Sequence, residues 1–506
     1  MMDDQVKNRI KNRGPDDSNT LEIALDNDMT AFFYGAVLWM QGPELTPQPV
    51  ETEQGVFLYN GDIFDETWPN NVSDTLVILD KLHDNDKTLT EDYIVKQLKT
   101  LKGPFAIIYY DKLNKQIYFM RDRIGRSTLL FYKNENSVII SNWFEQLKMK
   151  QRLPDDEFHF EYIEENFEEN DKIIQLIEYT AVQTQCKQAA MKILLENDLI
   201  KKTVLKVTEL LEKSIKLRLQ KQPNRCKKCL YVKGGCNHCT VGVLFSGGLD
   251  CTILALLADK YLPKDQSIDL INVAFKKDEK STFEVPDRLT GKQSLQELRK
   301  LCPSRDWNFR EINVTKEEQE KYQEEIIGDL VYPRETILDE SLGTALWFAA
   351  RGQDCLCNIS TSRVLLIGSG ADELFGGYLR HRNAFKRHGW QGLNKELLLD
   401  WKRISFRNLA RDNRVICDHG RQPRMPYLDE DFTNYILHLK PWLRCFPSEE
   451  LGIGIGDKLM LRLVALNLGL NEAVILPKRA LQFGSRIANK KEKGSDISKT
   501  FKNKNI

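Results

Sequence analysis

The sequence predicts a two-domain α/β protein, and three observations carry that prediction. The chain has 506 residues, too long for one ordinary core, so two domains are the default. Residues 1 to about 145 read as short strands at 31–38, 55–58, 105–110, 116–120 and 137–140, each rich in aromatic or β-branched residues and bounded by turn formers. From Thr240 the pattern changes: apolar runs at 241–245, 270–275 and 364–367 alternate with helical spacings at 252–261 and 294–301. Continuous apolar strands separated by amphipathic helices mean βαβ units and a parallel sheet covered on both faces.

Between the two patterns, 155–171 packs nine carboxylates and no Lys or Arg, the composition of a solvated linker or insertion. Residues 197–221 carry Leu205, Leu210, Leu211, Ile215 and Leu219 at helical spacing. From 489 the chain is Lys-rich and poor in apolar residues, and disorder is expected there. The expected division is therefore 1–150, 151–200, 201–488 and 489–506.

Lys+Arg and Asp+Glu both number 73, so zero net charge gives no pull toward nucleic acid or an anionic membrane. No apolar run approaches the roughly 20 residues that span a bilayer, and the start lacks the apolar core of a signal peptide. A soluble cytoplasmic protein is expected. In that compartment the eleven cysteines read as thiols or metal ligands rather than disulfides. The protein partner is left open, a homodimer among the candidates.

The strongest local signal is Val243-Leu244-Phe245-Ser246-Gly247-Gly248-Leu249-Asp250-Cys251-Thr252. An apolar strand runs into Ser-Gly-Gly, and a helix starts near Asp250. Two glycines bring bare N–H groups close to an anion, and the helix start adds its dipole. Ser246 and Thr252 offer hydroxyls, and Asp250 beside a phosphate implies Mg²⁺ between them. This is not the common phosphate loop, since no G-x-x-x-x-G-K-[ST] run occurs. A second strand, 364–367, leads into Gly368-Ser369-Gly370-Ala371-Asp372-Glu373, where Asp372 and Glu373 face the metal opposite Asp250. The plainer alternatives are a tight turn with no ligand and an acidic helix cap.

Together these segments resemble the asparagine synthetase family. SGGLD matches its pyrophosphate-binding loop, and 368–378 looks like its G-E-G-S-D-E-x-F-G-G-Y segment. His419-Gly420-Arg421-Gln422-Pro423-Arg424-Met425-Pro426 is similar to its H-G-x-E-x-R-x-P motif, and Asp457-Lys458-Leu459 through Leu476-Pro477-Lys478 resembles its closing stretch. Arg13-Gly14-Pro15-Asp16, Asn60-Gly61-Asp62, Ser73-Asp74-Thr75 and Arg121-Asp122-Arg123-Ile124-Gly125 match its glutamine amidotransferase domain.

The resemblance implies an N-terminal αββα domain of the N-terminal-nucleophile type, lacking its start, and a C-terminal doubly wound ATP-pyrophosphatase (PP-loop) domain. It implies ATP with Mg²⁺ as cofactors, and aspartate with ammonia or glutamine as partners. Nucleotide contacts are expected at Leu244, Ser246, Gly247, Gly248, Asp250, Cys251, Thr252, Val273, Ile367 and Gly368, and the metal at Asp250 and Asp372. A remnant glutamine site is expected at Asn60, Gly61, Asp62 and Asp74.

Several positions depart from the family pattern. Residue 2 is Met where the resemblance implies a nucleophilic Cys, and the first cysteine is Cys186. No Arg lies between Arg13 and Arg121 to take the glutamine carboxylate. Ser369, Gln422 and Ala480 fall where the family has a catalytic Glu, a second Glu and a charge-stabilising Lys. No catalytic residue is therefore assigned. Two readings follow: ATP-dependent amidation of aspartate with glutaminase lost, or a nucleotide-binding pseudoenzyme with a regulatory or scaffold role.

Outside the family pattern stand Cys226-Lys227-Lys228-Cys229 and Cys236-Asn237-His238-Cys239. Four thiolates at Cys226, Cys229, Cys236 and Cys239 suit tetrahedral Zn²⁺, with Gly234-Gly235 permitting a tight knuckle. The alternative is an exposed loop of reduced cysteines. Enzymes that thiolate transfer RNA also pair CxxC with such a loop, but they would carry a basic surface and this chain is neutral.

Overall fold

The computed structural model describes residues 4–504, apart from 26–28, 70, 84–90, 144–170, 185, 233–235, 449–450, 452–453 and 489–492. Most of the acidic stretch and Gly234-Gly235 therefore lie outside the described residues.

In the N-terminal part, β1 (Asp17–Ala24) pairs antiparallel with β2 (Thr30–Val37). Strands β3 (Val50–Glu51), β4 (Gly55–Gly61), β5 (Phe105–Asp111) and β6 (Gln116–Arg121) form an antiparallel sheet in that order. β7 (Leu130–Lys133) and β8 (Val138–Ser141) make a second hairpin. Alternation sends Phe57, Tyr59, Ile107 and Tyr109 to one face, under Ile78, Leu79, Leu82, Ile94 and Leu98 of two covering helices. Val56 and Tyr110 point the other way, onto Phe33 of β2. The helix Asp4–Arg13, which the strand-like reading of this region did not anticipate, packs along β2 and buries Ile10.

The C-terminal part is built on five parallel strands: β9 (Val241–Leu244), β10 (Ile268–Phe275), β11 (Trp307–Val314), β12 (Val364–Leu366) and β13 (Gln422–Arg424). Their spatial order is β11-β10-β9-β12-β13. All eight residues of β10 are buried, as expected for a strand covered on both faces. Because the order reverses at β9, the connections after β9 and β12 diverge and leave a crevice at the strand ends, where open α/β sheets bind ligands.

Three expectations are corrected here. The helix Asp198–Gln220, capped by Asn197, buries Ile200, Val204, Val207, Leu211, Ile215 and Leu219, whereas Leu205 is exposed. The boundary expected at 200 is moved: the helices Lys172–Gln183 and Lys187–Leu195 put Ile173, Ile177, Met191 and Leu194 into the large C-terminal core. The tail from 493 is ordered rather than disordered, because Ile337 and Leu338 donate to the carbonyls of Asp496 and Gly494 and Phe501 is fully buried. Burial of Phe501, worth about 1.5–3 kcal/mol, and three backbone bonds, the third from Ser498 N–H to the Glu335 carbonyl, hold a segment whose charge made it look unstructured. Among the described residues no helix is long and apolar enough to cross a membrane.

Candidate nucleotide site and its N-terminal counterpart

A cavity of about 370 Å³ opens at the β9/β12 divergence, lined by both glycine loops. This is within the range of ligand pockets. The helix Leu249–Tyr261 starts at its floor with Gly248 as cap and no side chain bonded to its first N–H groups. The two loop glycines do different jobs. Gly247 has φ +76°, and a Cβ there would sit 2.4 Å from the Thr290 carbonyl oxygen. Gly248 lines the cavity, and a Cβ there would meet only Ser246 Oγ at 3.3 Å.

Of the expected nucleotide contacts, Leu244, Ser246, Gly248, Asp250, Cys251, Val273, Ile367 and Gly368 line this cavity. Gly247 and Thr252 do not. Thr252 is fully buried and donates its hydroxyl to the Gly248 carbonyl at 2.8 Å, so it fastens the helix start rather than facing a phosphate.

The two expected metal carboxylates do meet. Lys458 Nζ lies 2.6 Å from Asp250 Oδ2 and 2.5 Å from Asp372 Oδ1, and Lys478 also pairs with Asp372. Burial opposes the Asp372 charge, but the two ammonium groups outweigh it and hold its carboxyl well below the usual range. The same carboxylates keep buried Lys458 charged. Asp250 Oδ1 is buried and has no hydrogen-bond partner. A hard divalent cation, which prefers carboxylate oxygens, fits such an atom.

Glu373 stands beside them, accepting from Tyr378 Oη at 2.7 Å and Asn408 Nδ2 at 3.0 Å. Burial, then the Asp372 charge, pushes its carboxyl up to about 6. Arg407 also lines the cavity, as do Arg380 and Arg411, which are paired with Asp400 and with Asp339 and Asp412 respectively.

The three substituted family positions are not brought together. Ser369 and Ala480 line the cavity, but Gln422 lies on β13 and lines a separate cavity between the two parts of the chain. Lys478 lines the nucleotide cavity, whereas Arg479 turns to Asp287 and Thr290. Lys458 is the functional residue that sequence reasoning passed over. Its signal was only its place in the Asp457-Lys458-Leu459 match, because its partners lie far away in the chain.

The N-terminal counterpart is a cavity of about 60 Å³, lined by Asn60, Gly61 and Asp74. It is far below the roughly 300 Å³ at which ligand pockets begin. Asp62 does not line it. Its carboxylate takes two bonds from Arg424, at 3.0 and 2.9 Å, with both side chains fully buried. The expected remnant glutamine site is corrected at Asp62, because a cation of the chain itself already pairs with it. Burial, then the nearby Asp62 charge, pushes Asp74 up to about 7. One thiol does line this cavity, Cys417 from the other half of the chain, and burial pushes it up, away from the nucleophilic thiolate.

The cysteine cluster also differs from expectation. Cys226, Cys229, Cys236 and His238 converge, while Cys239 Sγ is buried and donates to the Val241 carbonyl at 3.0 Å. Cys239 and Thr240 are both buried directly before the buried strand β9, so the Cys239 thiol belongs to the core.

Comparison with known proteins agrees with both halves. A family model described as asparagine synthase matches residues 237–391, and one described as a glutamine amidotransferase domain matches 37–148. An asparagine synthetase domain-containing protein of Drosophila melanogaster is 39% identical over 97% of this chain and 95% of its own length. Asparagine synthetase domain-containing protein 1 of Homo sapiens is 32% identical over 96% of this chain and 93% of its own. A relative of the same description in Saccharomyces cerevisiae is 28% identical over 92% and 85%.

Proposed function

The chain belongs to the family of asparagine synthetase domain-containing proteins, and on that footing we propose that it binds Mg-ATP, has lost glutaminase, and has a weakened amidation step. One observation carries the reading: a 370 Å³ cavity joins the 246–250 loop to Asp372 and Glu373. In family terms its N-terminal part is an αββα amidotransferase-like domain, and its C-terminal part a doubly wound PP-loop domain.

Asp250 and Asp372 are the residues that would hold Mg²⁺, which supplies charge neutralisation at the phosphates. The N–H groups at Gly248 and the helix start bind phosphate oxygens, and Lys458 and Lys478 add positive charge. The reaction such a site serves is adenylation of the aspartate side chain, release of pyrophosphate, and displacement of AMP by ammonia. Arg407, which lines the cavity, suits an acidic substrate. Ser369 is a far weaker base than Glu near pH 7, and Ala480 donates nothing. Loss of one preorganised charge-stabilising donor costs about 10²–10³ in rate. The glutamine half contributes no chemistry, since its carboxylates are spent or discharged and its thiol is protonated. A cytoplasmic setting suits eleven cysteines that all stand as free thiols.

A second reading has its own support. Lys478 already stands in the cavity beside Asp372, and Glu373 is poised near neutrality. They would let ammonia-dependent amidation of aspartate persist. The discriminating experiment incubates purified protein with ATP, Mg²⁺, aspartate and either ammonia or glutamine, and follows pyrophosphate, asparagine and glutamate. We expect pyrophosphate near background and no glutamate. Ser369→Glu with Ala480→Lys should raise turnover more than either change alone, and Gln422→Glu should not. Robust asparagine formation by the unaltered protein, abolished by Lys478→Ala, would replace the first reading with the second.

A further inference from the structure

Between the helix Asp198–Gln220 and β9, the described residues form no helix or strand, yet they touch three parts of the fold. Tyr231 Oη donates to the Asp16 carbonyl at 2.7 Å, and the Arg225 guanidinium lies over the Trp39 ring, both in the N-terminal part. Lys227 N–H donates to the Thr361 carbonyl at 3.0 Å, just before β12, and Lys227 Nζ donates to the His419 carbonyl. Ordering such a segment costs about 1–2 kcal/mol per residue in backbone entropy, and few apolar side chains here offset that.

A cross-link supplies what burial does not. Three sulfurs and one imidazole nitrogen, from Cys226, Cys229, Cys236 and His238, all lie within 4.8 Å of one another. His238 Nδ1 is 3.6 Å from Cys226 Sγ and 3.3 Å from Cys229 Sγ. Tetrahedral zinc, with bonds of about 2.3 Å to sulfur and 2.0–2.1 Å to nitrogen, sets ligand edges of about 3.5–3.8 Å. The Cys226 N–H donates to Cys236 Sγ at 3.2 Å, a bond that favours thiolate there. Four protein ligands leave no open position, which is the mark of a structural rather than a catalytic site.

We propose that Cys226, Cys229, Cys236 and His238 form a structural zinc centre that clamps the N-terminal part of the chain onto the nucleotide domain. Cys239 is not a ligand, and the centre takes no part in the nucleotide chemistry.

The test begins with elemental analysis of the full chain as purified, where about one zinc per chain is expected. His238→Ala should lower bound zinc at least tenfold, while Cys239→Ser keeps it. Should variants fail to fold, the unaltered chain answers alone. After chelation and reconstitution with Co²⁺ it should show the visible bands of a tetrahedral thiolate site. Chelation should also raise hydrogen exchange around Asp16 and Trp39, and zinc should restore protection. A protein that holds no zinc and takes up no Co²⁺ overturns the site. Equal zinc loss in Cys239→Ser and His238→Ala overturns the ligand set, and unchanged exchange after complete zinc removal overturns the clamp.

Discussion

Each half of the molecule brings two aspartates together, and the two pairs have opposite fates. In the N-terminal half, Asp62 lies outside the cavity and is neutralised by a buried Arg424 reaching across from the other half, and Asp74, which lines the cavity, is pushed up to about 7 by burial and by Asp62. In the C-terminal cavity, Lys458 pairs with both Asp250 and Asp372, and the lysines hold the Asp372 carboxyl well below its usual range, at the edge of a space six times larger, about 370 against 60 Å³. A carboxylate locked to a bidentate guanidinium in a dry interface serves the fold. A carboxylate paired with a lysine and holding an unpartnered oxygen toward a cavity is available to a ligand. The contrast sets a carboxylate built into the packing of one half beside a carboxylate pair that borders an open cavity in the other.

The largest effect should come from breaking the N-terminal pair. Arg424→Met leaves the buried Asp62 without its counter-charge, with Gln41 Nε2 still donating to it at 3.1 Å, and should cost about 3–5 kcal/mol in denaturant unfolding. Adding Asp62→Asn should recover a good part of it. A single-variant loss below about 1 kcal/mol would remove Asp62 from the structural side of the comparison.

The C-terminal pair should respond in binding instead. Asp250→Asn should weaken Mg-ATP by about 10–100-fold, or 1.4–2.8 kcal/mol, with an unfolding shift well below that of Arg424→Met. The glycines sharpen the same point. Gly248→Val should weaken ATP binding without loss of stability. Gly247→Val should destabilise the protein, because its Cβ would strike the Thr290 carbonyl and Gly291. If both variants bind ATP like the parent, the loop is not a phosphate cradle.

The smallest effect is a pH dependence. The folded-state pKa of Asp74 is raised from 3.8 to about 7, so between about pH 4 and 7 the folded state holds a proton that the unfolded state has lost. Its contribution therefore declines as pH rises through that window. Asp74→Asn should be more stable than the parent at pH 8, by about 1–2 kcal/mol, with the difference gone near pH 4. Melting curves across that range check the sign.

What the sequence made legible was local. The strand–SGGLD–helix unit and the strand before Gly368 needed only a run of apolar residues and glycines, and both loops face the cavity as expected. What escaped was set by distance or by phase. Lys458 reaches Asp250 across 208 positions, and Arg424 reaches Asp62 across 362, with nothing local to announce either pair. Thr252 looked like a phosphate donor because its hydroxyl is polar, but one helical turn back a carbonyl claims it. Cys239 fitted the CxxC spacing, yet it is buried and bonded to the Val241 carbonyl, and His238 stands with the other sulfurs instead. The tail looked unstructured by charge, and packing of Phe501 overrode composition.

The account turns on whether the C-terminal carboxylate pair serves a nucleotide. Calorimetric titration of the unaltered protein with Mg-ATP tests that directly, with Asp250→Asn alongside. The account predicts saturable binding at about one site per chain, weakened about tenfold or more in the variant. No binding to the unaltered protein, or equal affinity in both, would contradict it.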